Sequence, residues 1–200
     1  MTRRLDVEEA LSALGRGEVV ALPTDTVYGV AASLAHPDAV AALFTLKRRP
    51  ESVALPVLVA GVDALAPLGI TFDARASRLA ERFWPGPLTV IVAAPAAVAR
   101  LVRSSRDAVG VRVPNDDVLL SFLRRSGPLA LTSANEHGAP PCTSADEVVA
   151  SFEGRAELFG VLDGGARNAP VSSVIDVAGY ESLVLRHGAI RDEELFDALR

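Results

Sequence analysis

Cysteine is all but missing from this chain, which has a single one, Cys142, in 200 residues. A lone cysteine forms no internal disulfide, so a stapled secreted scaffold is excluded. The histidines His36, His137 and His187 are scattered and make no zinc pattern, so no metal site is expected. His36 and His187 read as packing or capping groups. Long hydrophobic runs are missing too: no apolar stretch approaches the ~18 residues of a membrane span, and the N-terminus shows no signal-peptide core. A reducing cytoplasm is the expected setting. No Gly/Ser-rich linker, low-complexity tract or internal repeat divides the sequence, which predicts one domain over residues 1–200. An excess of basic charge is also lacking. The net charge of -5 argues against a globally basic nucleic-acid binder and leaves only local clusters, Lys47-Arg48-Arg49 and Arg100, Arg103 and Arg106. Finally, there is neither a Gly-x-x-x-x-Gly-Lys nor a Gly-x-Gly-x-x-Gly motif, so a phosphate grip would have to rely on side chains.

What is present begins with composition: 50% of the residues are apolar, enough for a substantial core. Asp6 with Glu9 three residues on makes a capping-box start, Val7, Ala10, Leu11 and Leu14 share one helical face, and Gly15 and Gly17 end that helix. Further helices are predicted over Asp38–Arg48, Ala74–Phe83, Asp116–Arg125 and Ala145–Phe152. Strands are predicted over Glu18–Leu22, Leu55–Ala60, Leu88–Ala94, Val109–Val113, Pro128–Leu131, Leu158–Leu162, Ser173–Val177 and Leu183–Arg186. Strands separated by helices early and adjacent strands late predict one twisted, mixed α/β sheet with flanking helices.

Polar groups gather at the strand ends. The apolar run Val19–Leu22 leads into Pro23-Thr24-Asp25-Thr26-Val27-Tyr28-Gly29, which brings hydroxyls and a carboxylate to the place where α/β proteins hold ligands. Asp25 takes no role at this stage. Lys47-Arg48-Arg49-Pro50 reads as a helix C-terminus that suits cations, and equally as a clamp for a triphosphate. Arg112 interrupts the apolar strand Val109–Val113; it sits either on a solvated outer face or where a carboxylate is recognised. Thr132-Ser133-Ala134-Asn135 and Asp163-Gly164-Gly165 are turns or ligand rims. Cys142 and His137 lack a third orienting group and make a poor nucleophile pair.

In order along the chain, these segments, with Trp84-Pro85-Gly86-Pro87-Leu88-Thr89 and Leu185-Arg186-His187-Gly188, resemble the YrdC/TsaC family of threonylcarbamoyl-AMP synthases, from about Val19 to Ile190. The resemblance implies a twisted α/β sheet with a large concave cavity, in the short single-domain form. It implies a nucleotidyltransferase that joins L-threonine, bicarbonate and ATP, with Mg2+ on the phosphates, and releases pyrophosphate. By family matching, Lys47 and Arg49 are catalytic and bind ATP with Ser133, Asn135 and Arg186, while Thr26, Arg112 and Ser172 hold threonine. The implied partner is a downstream threonylcarbamoyl transferase acting on tRNA; direct tRNA contact and the oligomeric state are left open. The alternatives are a non-catalytic tRNA- or double-stranded-RNA-binding paralogue and a carbamoyl-adenylate former. The latter class carries extra domains and cysteine pairs not found here. Against the family pattern, Val53 and Leu58 replace an asparagine and a histidine, Arg48 a glycine, His137 a serine and Ala108 a threonine.

Overall fold

The computed structural model describes residues 2–200. In chain order the elements are β1 (Arg3–Leu5), α1 (Val7–Gly15), β2 (Val19–Leu22), β3 (Gly29–Ser33), α2 (Pro37–Lys47), β4 (Val57–Leu58), a 3-10 turn (Val62–Leu68), α3 (Ala74–Phe83) and β5 (Leu88–Ala93). Then follow α4 (Ala96–Leu101), β6 (Ala108–Arg112), α5 (Asp117–Ser126), β7 (Leu129–Ser133), α6 (Ala145–Ser151), β8 (Leu158–Leu162), β9 (Ser173–Asp176), β10 (Leu183–Arg186) and α7 (Asp192–Ala198). The strands form one mixed sheet in the order β1-β8-β2-β3-β7-β4-β6-β5-β9-β10.

Local chemistry explains the best-defined boundaries. Asp6 Oδ1 accepts from Glu9 N at 2.8 Å while Glu9 Oε2 accepts from Asp6 N at 3.0 Å, the reciprocal bonding expected of a capping box at the start of α1. Asp73, Asp116 and Ser144 cap α3, α5 and α6 in the same way, each accepting from a backbone N–H three residues on.

β2 is buried along its whole length, because the sheet carries a core on each face. Val19 and Ala21 pack with Val40 and Leu43 of α2; Val20 and Leu22 pack with Ala10 and Leu14 of α1 and Leu119 and Leu123 of α5. That two-sided burial is why Val19–Leu22 reads as a continuous apolar run. The helix cover is uneven. Residues of α2, α3, α4, α6 and α7, with Leu120 of α5, contribute to the first core, whereas only α1 and α5 contribute to the second. The second core takes residues from β1, β2, β3, β4, β7 and β8 and none from β6, β5, β9 or β10, so the second face is bare around β6, β5 and β9.

The structure departs from the sequence expectations in several places. The strand expected over Leu55–Ala60 is ladder-paired only at Val57–Leu58, since Pro56 has no N–H to give, although its carbonyl accepts from Leu131 N at 3.1 Å. Of the late strands, β9 and β10 are neighbours as expected, but β8 lies apart from them: β8 pairs with β1 and β2, while β9 pairs with β5 and β10. β1, β3, α4 and α7 were not anticipated. β3 (Gly-Val-Ala-Ala-Ser) is buried on both sides and has no alternation to read, and the other three are short.

Candidate functional site

The bare part of the second face opens into a cleft holding about 150 Å³ of water-sized space, with a floor of Pro56, Leu58 and Leu131 and a rim that includes Thr24, Thr26, Thr89 and Ser172. Three guanidiniums line it, Arg49, Arg112 and Arg186, and no carboxylate does. Arg49 follows α2, Arg112 ends β6 and Arg186 ends β10. Each guanidinium is pulled below its usual range, first by burial. The Arg186 charge adds to this effect on Arg49, and the Arg112 charge adds to it on Arg186, so the three form one electrostatic row.

Arg112 is only 6% exposed. Strand alternation puts it opposite Val111 and Val113, as the sequence implies, but the face it meets is the cleft wall and not solvent. Its Nη2 donates to Asp25 Oδ1 at 2.7 Å and its Nε to Gly86 O at 3.0 Å, while Asp25 Oδ2 accepts from Asn115 N at 2.9 Å. Burial lowers the Arg112 pKa and Asp25 partly restores it. Among the described residues, Nη1 has no protein partner.

The Pro23–Gly29 segment is held by its own hydroxyls. Thr24 Oγ1 donates to Val27 O at 2.6 Å and lies 3.1 Å from Thr26 Oγ1. Thr24 Oγ1 also accepts from Thr26 N at 3.1 Å and from Val27 N at 3.3 Å, so its proton and both lone pairs are used within the segment. The buried Tyr28 hydroxyl donates to Gly165 O at 2.8 Å and accepts from Gly164 N at 3.0 Å, tying the Asp163-Gly164-Gly165 turn to this wall. On the far side Arg186 grips Ser172, with Nε donating to its carbonyl at 2.8 Å and Nη2 to its Oγ at 2.7 Å. Thr89 Oγ1 is 3.2 Å from the same hydroxyl.

Of the residues singled out from sequence, Thr26, Arg49, Arg112, Ser133, Ser172 and Arg186 line this one cleft. Lys47 and Asn135 stand behind its wall. Lys47, 1% exposed, donates through Nζ to the Ser133 carbonyl, to Asn135 O at 2.6 Å and to Asn135 Oδ1 at 3.3 Å. Burial, with the nearby Arg49 charge, pulls its pKa down to about 7, whereas three acceptors match the three donors of an ammonium. Asn135 Nδ2 donates to Glu136 O and Ala139 O, so this side chain pins its own loop. Cys142 is buried, which pushes its thiol pKa up, and its Sγ lies 3.3 Å from Ser151 Oγ; a reactive thiolate is disfavoured. Sequence reasoning missed Asp25. The signal for it was a carboxylate beside the sheet facing an arginine set in an apolar strand.

A mixed α/β sheet left uncovered over part of one face, with a row of guanidiniums facing hydroxyls in the gap, defines an α/β protein with a cationic cleft. Comparison with known proteins narrows that class. The Sua5/YciO/YrdC family model, described as telomere recombination, matches residues 12–188, and the chain belongs to this family. It is 37% identical over 181 residues to a threonylcarbamoyl-AMP synthase of Pyrococcus abyssi, covering 90% of this chain and 53% of that protein. It is 36% identical over 192 residues to a threonylcarbamoyl-AMP synthase of Bacillus subtilis, covering 94% of this chain and 55% of that one. The chain thus spans about half the length of these curated relatives. The crystal structure of P. abyssi Sua5 complexed with L-threonine superposes with a TM-score of 0.87 at 34% identity, covering 98% of this chain and 59% of that chain. Among the described residues no helix is long and apolar enough to cross a membrane.

Proposed function

We propose that this chain makes threonylcarbamoyl-AMP from L-threonine, bicarbonate and ATP, with pyrophosphate released. The observation that carries the reading is the row Arg49, Arg186 and Arg112 in a single cleft, since the reaction must bring two anions together. The threonine amine attacks the carbon of carbon dioxide, losing a proton, or of bicarbonate, its proton leaving with the displaced hydroxide as water, to give a carbamate. A carbamate oxygen then attacks the α-phosphorus of ATP, and pyrophosphate leaves. No covalent nucleophile is needed; positioning and charge stabilisation supply the rate.

In this reading Arg49 and Arg186 serve the triphosphate and Ser133 lines that end, while Lys47 and Asn135 support it from behind the wall. Arg112 Nη1 meets the threonine carboxylate, and Thr26 and Ser172 offer hydroxyls to its polar groups. The described residues include no cluster of three or more His, Cys, Asp or Glu suited to a metal. Mg2+ would enter with ATP and would offset charge on its phosphates. The labile product passes to a transferase acting on tRNA, in the cytoplasm.

The reading predicts pyrophosphate release that requires both threonine and bicarbonate, with label from bicarbonate recovered in an adenylate of threonine mass. Release indifferent to either substrate, or salt-sensitive RNA binding with no adenylate formed, overturns it.

A further inference from the structure

The cleft carries its charges unequally. Arg112 is matched by a carboxylate inside the protein, the two side chains being only 8% and 9% exposed and 2.7 Å apart. Arg49 and Arg186 have no such match: Arg49 donates to the carbonyls of Val53 and Ala54, and Arg186 to Ser172. One end of the cleft therefore presents a guanidinium whose charge is already balanced, and the other presents two that are not.

We propose that Asp25 is the residue that sets anion selectivity along this cleft. By pairing with Arg112 it reserves that end for a carboxylate whose own molecule is neutral overall, as in an amino-acid zwitterion, and keeps phosphate groups at Arg49 and Arg186. Two features give it that capacity. Its second oxygen is fixed by Asn115 N and the Arg112 Nε by Gly86 O, so the pair does not swing apart to admit a dianion. A phosphate arriving at Arg112 would also meet the Asp25 charge within a few ångströms in a partly desolvated site, where like charges repel strongly. An amino acid instead brings an ammonium that offsets Asp25 as its carboxylate meets Nη1. Asp25 thus acts through Arg112, as a positioning and charge-balancing residue.

This inference rests on the amino-acid end assigned above and is tested by calorimetric titration of the full chain with threonine and with inorganic phosphate. In the native chain, phosphate leaves threonine affinity unchanged. In Asp25→Asn, threonine affinity falls by about tenfold as the carboxylate of a close charge pair is lost, and phosphate now competes with threonine. Asp25→Glu retains the charge and continues to exclude phosphate. Phosphate competition in the native chain or in Asp25→Glu overturns the proposal. So does a loss of threonine affinity in Asp25→Asn without phosphate competition, which would make Asp25 a structural support. If Asp25→Asn does not fold, the native chain and Asp25→Glu decide. A native chain that binds threonine selectively yet forms no adenylate sinks the proposed reaction and leaves the selectivity standing.

Discussion

Arg48 closes α2 in the left-handed region at φ 49°, ψ 38°, a conformation that costs an L-residue about 1–2 kcal/mol and a glycine almost nothing. Its contact with Glu136 is 3.4 Å long and its side chain 71% exposed, so that pair contributes little. Arg48→Gly is expected to raise stability by about 0.5–1 kcal/mol once the looser unfolded chain is subtracted, read from urea melts. Its neighbour Lys47 carries a pH signature. With a folded pKa of about 7 against an ordinary 10.5, the unfolded chain binds more protons than the folded one across that interval, so stability rises with pH there. Between pH 7 and 8.5, below the range in which the raised Cys142 thiol opposes the trend, the chain should gain stability. Lys47→Met should flatten the slope in matched denaturation curves.

Gly188 follows β10, and a methyl group there would stand 2.5 Å from backbone atoms of Val171, Ser172 and Ser173. Backbone cannot give way as a side-chain end can, so Gly188→Ala should push the start of β9 from β10 and separate Ser172 from Arg186. Turnover should fall by about tenfold or more, with a lower melting midpoint, in paired activity and thermal assays. Elements differ in how plainly the sequence announces them. The cap of α1 is written in Asp6 and Glu9, which bond each other three residues apart, and the double burial of β2 shows in its own unbroken apolar run. The start of β4 was recoverable from Pro56, which has no N–H to donate to the ladder. The cleft position was not, since it arises from helices α1 and α5 covering one part of a face and leaving the rest bare, a matter of tertiary placement. The cleft membership of Arg112 followed from alternation only once that bare face was known; its partner Asp25 was hidden by a separation of 87 residues.

The whole molecule is acidic, with net charge -5, yet its cleft is lined by arginine without carboxylate. Such an arrangement confines attraction for anions to one mouth and gives it a salt dependence. Raising ionic strength from about 0.01 to 0.15 M shortens the Debye length from about 30 to 8 Å; the KM for ATP should climb while that for zwitterionic threonine moves little, in steady-state assays at fixed Mg2+. The strand order has a temporal side. Among the described residues β1 pairs only with β8, and β2 has β8 along one edge. On the ribosome, then, Val19–Leu22 emerges early and waits with an open apolar edge until Leu158–Leu162 has been synthesised, a non-local closure of the kind that is slow and exposed to aggregation. Nascent chains stalled with β8 still in the exit tunnel should be cut readily by protease near β2. Chains stalled after β8 has emerged should resist, and equal cleavage in the two sets would contradict this late closure.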